Sequence, residues 1–252
     1  MRFVTLVLAV IQPETIWLLA NRRLSSKGRP PKDDGLKMVS LDTTDGRAIL
    51  AYAGLGATAL GTEPAGWMAA VLRGKNLPLE QSLGVLAGEM QRQLPRHLRQ
   101  MPANSVAAHH VIVPAFLGTE LRLYSIELAL TPDRKSYNFQ YTRHVRPKPV
   151  SPGPPPLGLG GTGGFHLMRD TKWARSVLRA VKAHDSRKLP ALEVADHLAT
   201  LNNKVHLDMA DGSVGPRCVV VWRYRKDGVH GGGGGQQYYT GTQRDADNPS
   251  LP

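Results

Sequence analysis

Apolar residues are grouped into short runs and amphipathic segments that follow one another in blocks. Residues 3–11 and 15–20 are β-branched and leucine-rich, and the Gln-Pro-Glu turn between them predicts a hairpin of two buried strands. Later segments alternate with period two, as strands do, or repeat at spacings of three and four, as helices do. In chain order the further predicted elements are strands 36–41 and 47–53, helices 62–73 and 78–94, strands 107–113, 120–130 and 136–144, helices 166–183 and 190–203, and strands 217–224 and 236–241.

The order of these elements predicts the fold class. Blocks of strands separated by pairs of helices are typical of an α+β fold in which helix pairs pack on stacked sheets. The last strands need partners, so we expect one domain over residues 1–242, with a Pro/Gly-rich insertion at 147–164. Residues 243–252 are polar and contain proline, which predicts a flexible tail.

Composition narrows the possible function classes. The chain has 252 residues, a formal net charge of +12 and one cysteine, which excludes a disulfide framework and a multi-thiolate metal site. No apolar run reaches the ~18–20 residues needed to cross a bilayer. A signal peptide is disfavoured, because Gln12, Pro13 and Glu14 interrupt the first apolar region.

The positive charge is concentrated in one part of the chain. Residues 134–182 hold ten Lys or Arg against one acid, Asp170. One interpretation is a patch for the phosphates of nucleic acid or for an acidic partner. The other is a solvated helix face beside a basic surface loop, because few aromatic residues alternate with the charges to stack on bases.

No metal or cofactor site is predicted. His109 and His110 are adjacent, so in a strand they point to opposite faces and do not easily share one metal ion. The glycine-rich run at 158–164 lacks the Lys-Ser/Thr of a phosphate-binding loop. Cys218 lies in an apolar strand, which indicates a buried structural thiol.

Three residues at the start of the chain have a regular spacing. Thr5 opens the first strand, Asn21 follows sixteen residues later within Ala-Asn-Arg-Arg, and Lys37 follows after sixteen more. The β-type subunits of the proteasome, in the N-terminal-nucleophile hydrolase superfamily, have a threonine, an Ala-Asp-x-Arg and a lysine at these spacings. The chain resembles that family, which implies a four-layer αββα sandwich of two antiparallel sheets between helix pairs.

Later motifs extend the resemblance over about residues 3–241. The turn Gly54-Leu55-Gly56 resembles the family's glycine turn, where a backbone amide serves as the oxyanion donor. Gly161-Thr162-Gly163 resembles its Gly-Ser-Gly before the third helix. Asp208, with Asp211 three residues later, resembles its Asp-x-x-Ser-Gly before the late strands.

The resemblance implies an amide or peptide hydrolase with Thr5 as the nucleophile. A hydroxyl is a weak nucleophile and needs a base, which the α-amino group of an N-terminal threonine supplies in this family. A buried lysine there stabilises developing negative charge, and an aspartate pairs with it. By the same resemblance Lys37 and Asn21 support Thr5, Asp208, Asp211 and Thr162 complete the site, and the protein is a cytoplasmic homo-oligomer, a ring or ring-like stack.

Three departures from the family pattern leave other functions open. Met-Arg-Phe-Val precedes Thr5, so activity of the family type requires removal of residues 1–4. Asn21 replaces the aspartate, and an amide does not neutralise Lys37. Asp211 stands where serine is expected. The alternatives are a catalytically silent member that assembles or binds a partner, and a nucleic-acid-binding protein that uses residues 134–182.

Overall fold

The computed structural model describes residues 5–24, 30–54, 63–98, 109–130, 137–146, 153 and 155–252. The strands are β1 (Val7–Ile11), β2 (Thr15–Asn21), β3 (Met38–Asp42), β4 (Gly46–Ala53), β5 (His110–Leu117), β6 (Glu120–Leu130), β7 (Tyr137–Arg143), β8 (Leu157–Gly160), β9 (Arg217–Tyr224), β10 (Gly234–Thr240) and β11 (Gln243–Arg244). The helices are α1 (Pro64–Leu72), α2 (Leu79–Leu98), α3 (Gly161–Leu167), α4 (Lys172–Asp185) and α5 (Ala191–Asp208).

The strands form two antiparallel sheets that stack on each other. One sheet has the order β11-β10-β9-β2-β1-β8, and the other has the order β3-β4-β5-β6-β7. Helices α3, α4 and α5 accompany the first sheet, and α1 and α2 pack on the second. The predicted α+β sandwich with four layers is therefore confirmed.

Alternation along β1 shows why its sequence is apolar throughout. Val7, Ala9 and Ile11 belong to the core between the two sheets, whereas Leu8 and Val10 belong to the core under the outer helices. A strand that is buried on both faces needs apolar residues at every position, which is the pattern that predicted the first hairpin. The β1–β2 pairing, from Val7–Ala20 to Ile11–Ile16, confirms that hairpin.

The segment after β7 differs from the sequence expectation. The helix predicted over 166–183 is two helices, α3 and α4, and the glycine-rich run is in part strand β8 at the edge of the first sheet. Glycine permits this placement, because a Cβ on Gly158 would lie 3.1 Å from the Leu123 side chain. The apolar pattern predicted the greater part of α4 but not β8, since a strand of Leu and Gly has little β-propensity of its own.

The predicted tail also contributes to the core. Gln243 and Arg244 pair with the end of β10, and Leu251 packs against the core between the sheets. The Leu251 backbone amide donates to Gln236 Oε1 at 3.3 Å.

In the part of the chain that the structure describes, no helix is both long and apolar enough to span a membrane.

The layer under α5 generates a stability prediction. Leu198 is fully buried in α5 against the first sheet, so Leu198→Ala should lower the free energy of unfolding by about 2–5 kcal/mol in a urea titration. Leu192, on the same helix and 38% exposed, is the control, and Leu192→Ala should cost less than about 1 kcal/mol. Equal losses for the two variants would contradict this packing.

Candidate functional site

Thr5 and Lys37 meet between the two sheets. Thr5 lies just before β1 and Lys37 just before β3, so each side chain comes from a different sheet. Lys37 Nζ donates a hydrogen bond to Thr5 Oγ1 at 2.7 Å, and the residues are only 2% and 1% exposed. The backbone of Lys37 is held as well, because its carbonyl accepts from the Tyr52 amide at 2.9 Å. The residues spaced by thirty-two positions are thus a buried hydroxyl–amine pair.

Burial changes the protonation of Lys37. Desolvation lowers the pKa of its amine to about 7, because an ammonium loses its hydration between the sheets. Asp33 opposes the shift and Arg23 adds to it. Near neutral pH a large share of the Lys37 amine is therefore uncharged and has a lone pair available to the Thr5 hydroxyl.

An ion pair that the sequence analysis did not single out lies beside this site. Arg23 contacts Asp33 through two bonds, Nε to Oδ1 at 2.6 Å and Nη2 to Oδ2 at 2.7 Å. The hydrogen bond to Arg23 lowers the pKa of the Asp33 carboxyl, and it raises the pKa of Arg23. Because Asp33 is paired with Arg23, the negative charge that raises the pKa of Lys37 is accompanied by a positive charge that lowers it. Opposite charges ten residues apart in a polar loop are the one signal in the sequence for this pair.

Asn21 is oriented toward the backbone of a neighbouring loop. Its Nδ2 donates to the carbonyls of Gly215 at 3.0 Å and Arg217 at 3.2 Å, and its Oδ1 accepts from the Arg23 amide at 3.1 Å. This buried amide joins the end of β2 to the start of β9. An aspartate would offer no donor to the two carbonyls, so the asparagine suits the structural role.

The start of α3 lies directly against Thr5. The Gly163 amide donates to the Thr5 carbonyl at 3.1 Å, and the Gly161 amide donates to His110 Nε2 at 3.0 Å. Gly161 has φ of +76°, and a Cβ there would lie 2.0 Å from the Thr5 carbonyl oxygen, so only glycine fits. Thr162 lies beside the same site, and its buried Oγ1 has no hydrogen-bond partner among the described residues.

Gly54 lies at the end of β4 and borders the same region. A Cβ on Gly54 would lie 2.6 Å from His109 Nδ1 and 2.8 Å from the Tyr52 hydroxyl oxygen. These two side chains are joined by a hydrogen bond of 2.6 Å. Leu55 and Gly56, the rest of the predicted oxyanion turn, lie outside the described residues.

The two acidic candidates lie on the surface of the described structure. Asp208 ends α5 and pairs with His166 at 3.5 Å, with its side chain 43% exposed. Asp211 is exposed, and its Oδ1 accepts from the Ser213 amide at 3.1 Å. Asp208 therefore contacts α3, and Asp211 contacts its own turn. The partner of Thr5 is Lys37.

A cleft of about 500 Å³ opens beside Thr5. Its lining includes Gly54, Thr162 and, from β5 and β6, His110, Ser125 and Glu127. Burial lowers the pKa of His110, which agrees with its Nε2 accepting a hydrogen bond from the Gly161 amide. Thr5, although only 1% exposed, therefore borders the cleft.

The remaining candidates lie away from the cleft. Cys218 is fully buried in β9, and burial raises the pKa of its thiol. Four basic residues of α4 are exposed, namely Lys172, Arg175, Arg179 and Lys182. That this face binds nucleic acid or an acidic protein stays a prediction. Within the described ranges no group of three or more His, Cys, Asp or Glu could hold a metal ion.

Comparison with solved structures finds the same arrangement of layers. The Anbu complex from Pseudomonas aeruginosa, solved as a helical assembly, matches with a TM-score of 0.53 and 13% identity over 87% of this chain and 81% of that chain. Anbu from Yersinia bercovieri, described as an ancestral beta-subunit, matches with a TM-score of 0.50 and 12% identity over 91% and 86%. This chain has the proteasome-like N-terminal-nucleophile fold. No family model and no curated protein matches the chain by sequence.

The buried amine generates a prediction about stability. The folded-state pKa of Lys37, about 7, lies below its unfolded value of ~10.4, so between these pH values the unfolded chain binds more protons. The free energy of unfolding should therefore rise with pH across this window. Lys37→Met removes the cost of burying the amine and should stabilise the protein at pH 7 by about 1–4 kcal/mol, measured by urea unfolding.

The control for this prediction is the exposed Lys204. Lys204→Met should change stability by less than about 0.5 kcal/mol at either pH. The advantage of Lys37→Met should shrink at pH 9.5, because the free energy needed to remove the proton of Lys37 on folding falls as the pH approaches the unfolded-state pKa of ~10.4. A gain that is the same at pH 7 and pH 9.5 would contradict the assignment.

Proposed function

We propose that this protein is a threonine-type amide or peptide hydrolase. The observation that carries the proposal is the buried hydrogen bond of 2.7 Å between Lys37 Nζ and Thr5 Oγ1 at the edge of the cleft. A hydroxyl becomes an effective nucleophile when an adjacent base takes its proton. Since the pKa of Lys37 is lowered to about 7, the neutral amine is available at physiological pH to do so.

The reaction proceeds in two balanced steps. Thr5 Oγ1 attacks the carbonyl carbon of the amide while its proton passes to Lys37 Nζ, and that proton then goes to the leaving amine as the C–N bond breaks. Water next attacks the resulting ester, gives its proton to Lys37 and releases the carboxylic acid. The Lys37 proton returns to Thr5 Oγ1, which restores the enzyme.

Release of residues 1–4 is the condition that the family resemblance places on this activity. It would give Thr5 an α-amino group beside Lys37 and make the nucleophile the first residue. Intact mass of the active protein should therefore correspond to a chain that begins at Thr5. Full activity in a chain that begins at Met1 would contradict this step and assign the base to Lys37 alone.

The dyad predicts how activity depends on residue and pH. With a fluorogenic peptide amide, Thr5→Ala and Lys37→Met should each lower kcat/KM by at least about a hundredfold, because the nucleophile or its base is lost. Wild-type kcat/KM should rise with pH and level off above about 7, as Lys37 loses its proton. The control is Thr200→Ala, on the exposed face of α5, which should retain wild-type activity. Unchanged hydrolysis by Thr5→Ala would contradict the proposal.

A catalytically silent protein is the second candidate, and Asn21 favours it. The amide is engaged with the Gly215 and Arg217 carbonyls, and Asp33 is engaged with Arg23, so neither residue is a dedicated partner for Lys37. Such a chain would keep the fold and act by assembly or partner binding. Absence of any Thr5-dependent hydrolysis from a chain that begins at Thr5 would favour this second function.

We also propose that the protein forms a homo-oligomer, as the helical assembly of the similar Pseudomonas aeruginosa complex supports. His166 of α3 pairs with Asp208 of α5, and beside them Met168 and Leu207 are 59% and 72% exposed. Light scattering should give a multiple of 27.5 kDa. Met168→Ser combined with Leu207→Ser should lower that mass, while Val229→Ser, at an apolar residue 46% exposed elsewhere, should not. A wild-type monomer would contradict the proposal.

A further inference from the structure

Glu127 and Thr5 line the same cleft. It is directly opposite His110 in the β5–β6 register, and His110 Nε2 accepts the Gly161 amide, which lies against the Thr5 carbonyl. Paired residues in antiparallel strands have Cα atoms only ~4.5–5.5 Å apart. A chain of contacts therefore runs from Glu127 to His110, from His110 to Gly161, and from Gly161 to Thr5.

Among the described residues no Lys or Arg pairs with the Glu127 carboxylate. Its cross-strand neighbours are His110 on β5 and Gln140 on β7. Among the described residues that line the cleft there is no Lys or Arg, and Glu127 makes no ion pair within the described ranges.

Two polar side chains hold the carboxylate region in place. Ser125 Oγ lies 2.8 Å from His144 Nε2 and 3.4 Å from Glu127 Oε1, and all three residues line the cleft. Burial lowers the pKa of His110, so this imidazole does not supply a compensating positive charge. Apart from this bond from Ser125, no hydrogen bond among the described residues engages the Glu127 carboxylate, and its Oε2 is available to a ligand.

The rest of the cleft suits a long side chain with a charged end. Ile112, Leu123, Leu157 and Leu159 contribute apolar surface, and the volume of about 500 Å³ accommodates a side chain with its methylene groups. Lysine and arginine bury their methylene stems on apolar surface while the charged head reaches a polar group. The apolar lining of the cleft would contact such a stem, and the Glu127 carboxylate would contact the charged head.

We propose that the cleft binds the cationic side chain of a lysine or arginine in the substrate, through the Glu127 carboxylate, beside the amide that Thr5 attacks. This inference rests on the proposed function, since it names the substrate class of that site. Carboxylates bind guanidinium and ammonium groups by charge-assisted hydrogen bonds. Ser125 and His144 act as positioning residues for the carboxylate.

The test measures binding in the full-length Thr5→Ala protein, which cannot turn over the ligand. Nα-acetyl-arginine methylamide and the uncharged Nα-acetyl-norleucine methylamide are titrated separately and followed by NMR chemical shifts. We expect the arginine ligand to bind at least tenfold more tightly. Equal affinity for the two ligands, or tighter binding of norleucine, would overturn the proposal.

Two further variants in the Thr5→Ala background locate the effect. Glu127→Gln keeps the size of the side chain and its contact with Ser125 but removes the charge, so the preference for arginine should disappear. Glu193→Gln removes an exposed carboxylate from the first turn of α5 and should leave the preference unchanged. A preference that persists in a folded Glu127→Gln protein, as judged by its thermal melt, would overturn the assignment.

Failure of this inference is distinguishable from failure of the proposed function. Arginine binding that depends on Glu127, in a protein without Thr5-dependent hydrolysis, would leave the cationic site intact and refute only the hydrolase. Hydrolysis that depends on Thr5, with equal kcat/KM for arginine and norleucine substrates, would refute only the cationic site.

Discussion

The burial of the Lys37 amine against the Thr5 hydroxyl is the constraint on which the site depends. An ammonium between two apolar sheets loses most of its hydration. Among the described residues it gains one hydrogen bond, to Thr5 Oγ1. Asp33, whose charge raises the pKa of Lys37, is joined to Arg23, whose charge lowers it, so the burial of the amine is compensated only in part. The result is an amine with a pKa of about 7, whose burial lowers stability fully below that pH and progressively less up to ~10.4, while above pH 7 the neutral amine can act as a base.

The four-layer fold makes this contact possible because the two partners come from different sheets. Thr5 precedes β1 and Lys37 precedes β3, and the core between the sheets sets their separation. Helix α3 then closes the site from the side, where Gly161 brings backbone to within contact of the Thr5 carbonyl. The cleft that Thr5 borders lies between β8 and strands β5 and β6. Scaffold and candidate chemistry therefore share the same few backbone positions.

The sequence predicted the layers and the Thr5–Lys37 pair, but not the surroundings of the pair. Local signals predict the layers, namely strands that are apolar at every position and helices with regular apolar spacing. The Thr5–Lys37 pair was predicted from a family resemblance, through the two spacings of sixteen residues. The carbonyl partners of Asn21 and the positions of His110 and Glu127 depend on strand register over long separations. Strand β8 was missed because Gly158 suits the close approach of Leu123 and Ala9, long-range neighbours that a local sequence pattern does not reveal.

The most direct test of the account is the titration of Lys37 itself. Protein labelled with ¹³C at lysine Cε is followed by NMR from pH 5 to 11, and the Lys37 resonance is assigned from its absence in Lys37→Met. The account predicts a midpoint near 7 for this one resonance, while exposed lysines such as Lys204 titrate near ~10.4. A Lys37 midpoint close to that of Lys204 would show that the amine stays charged at neutral pH, and it would contradict the role of Lys37 as the base for Thr5.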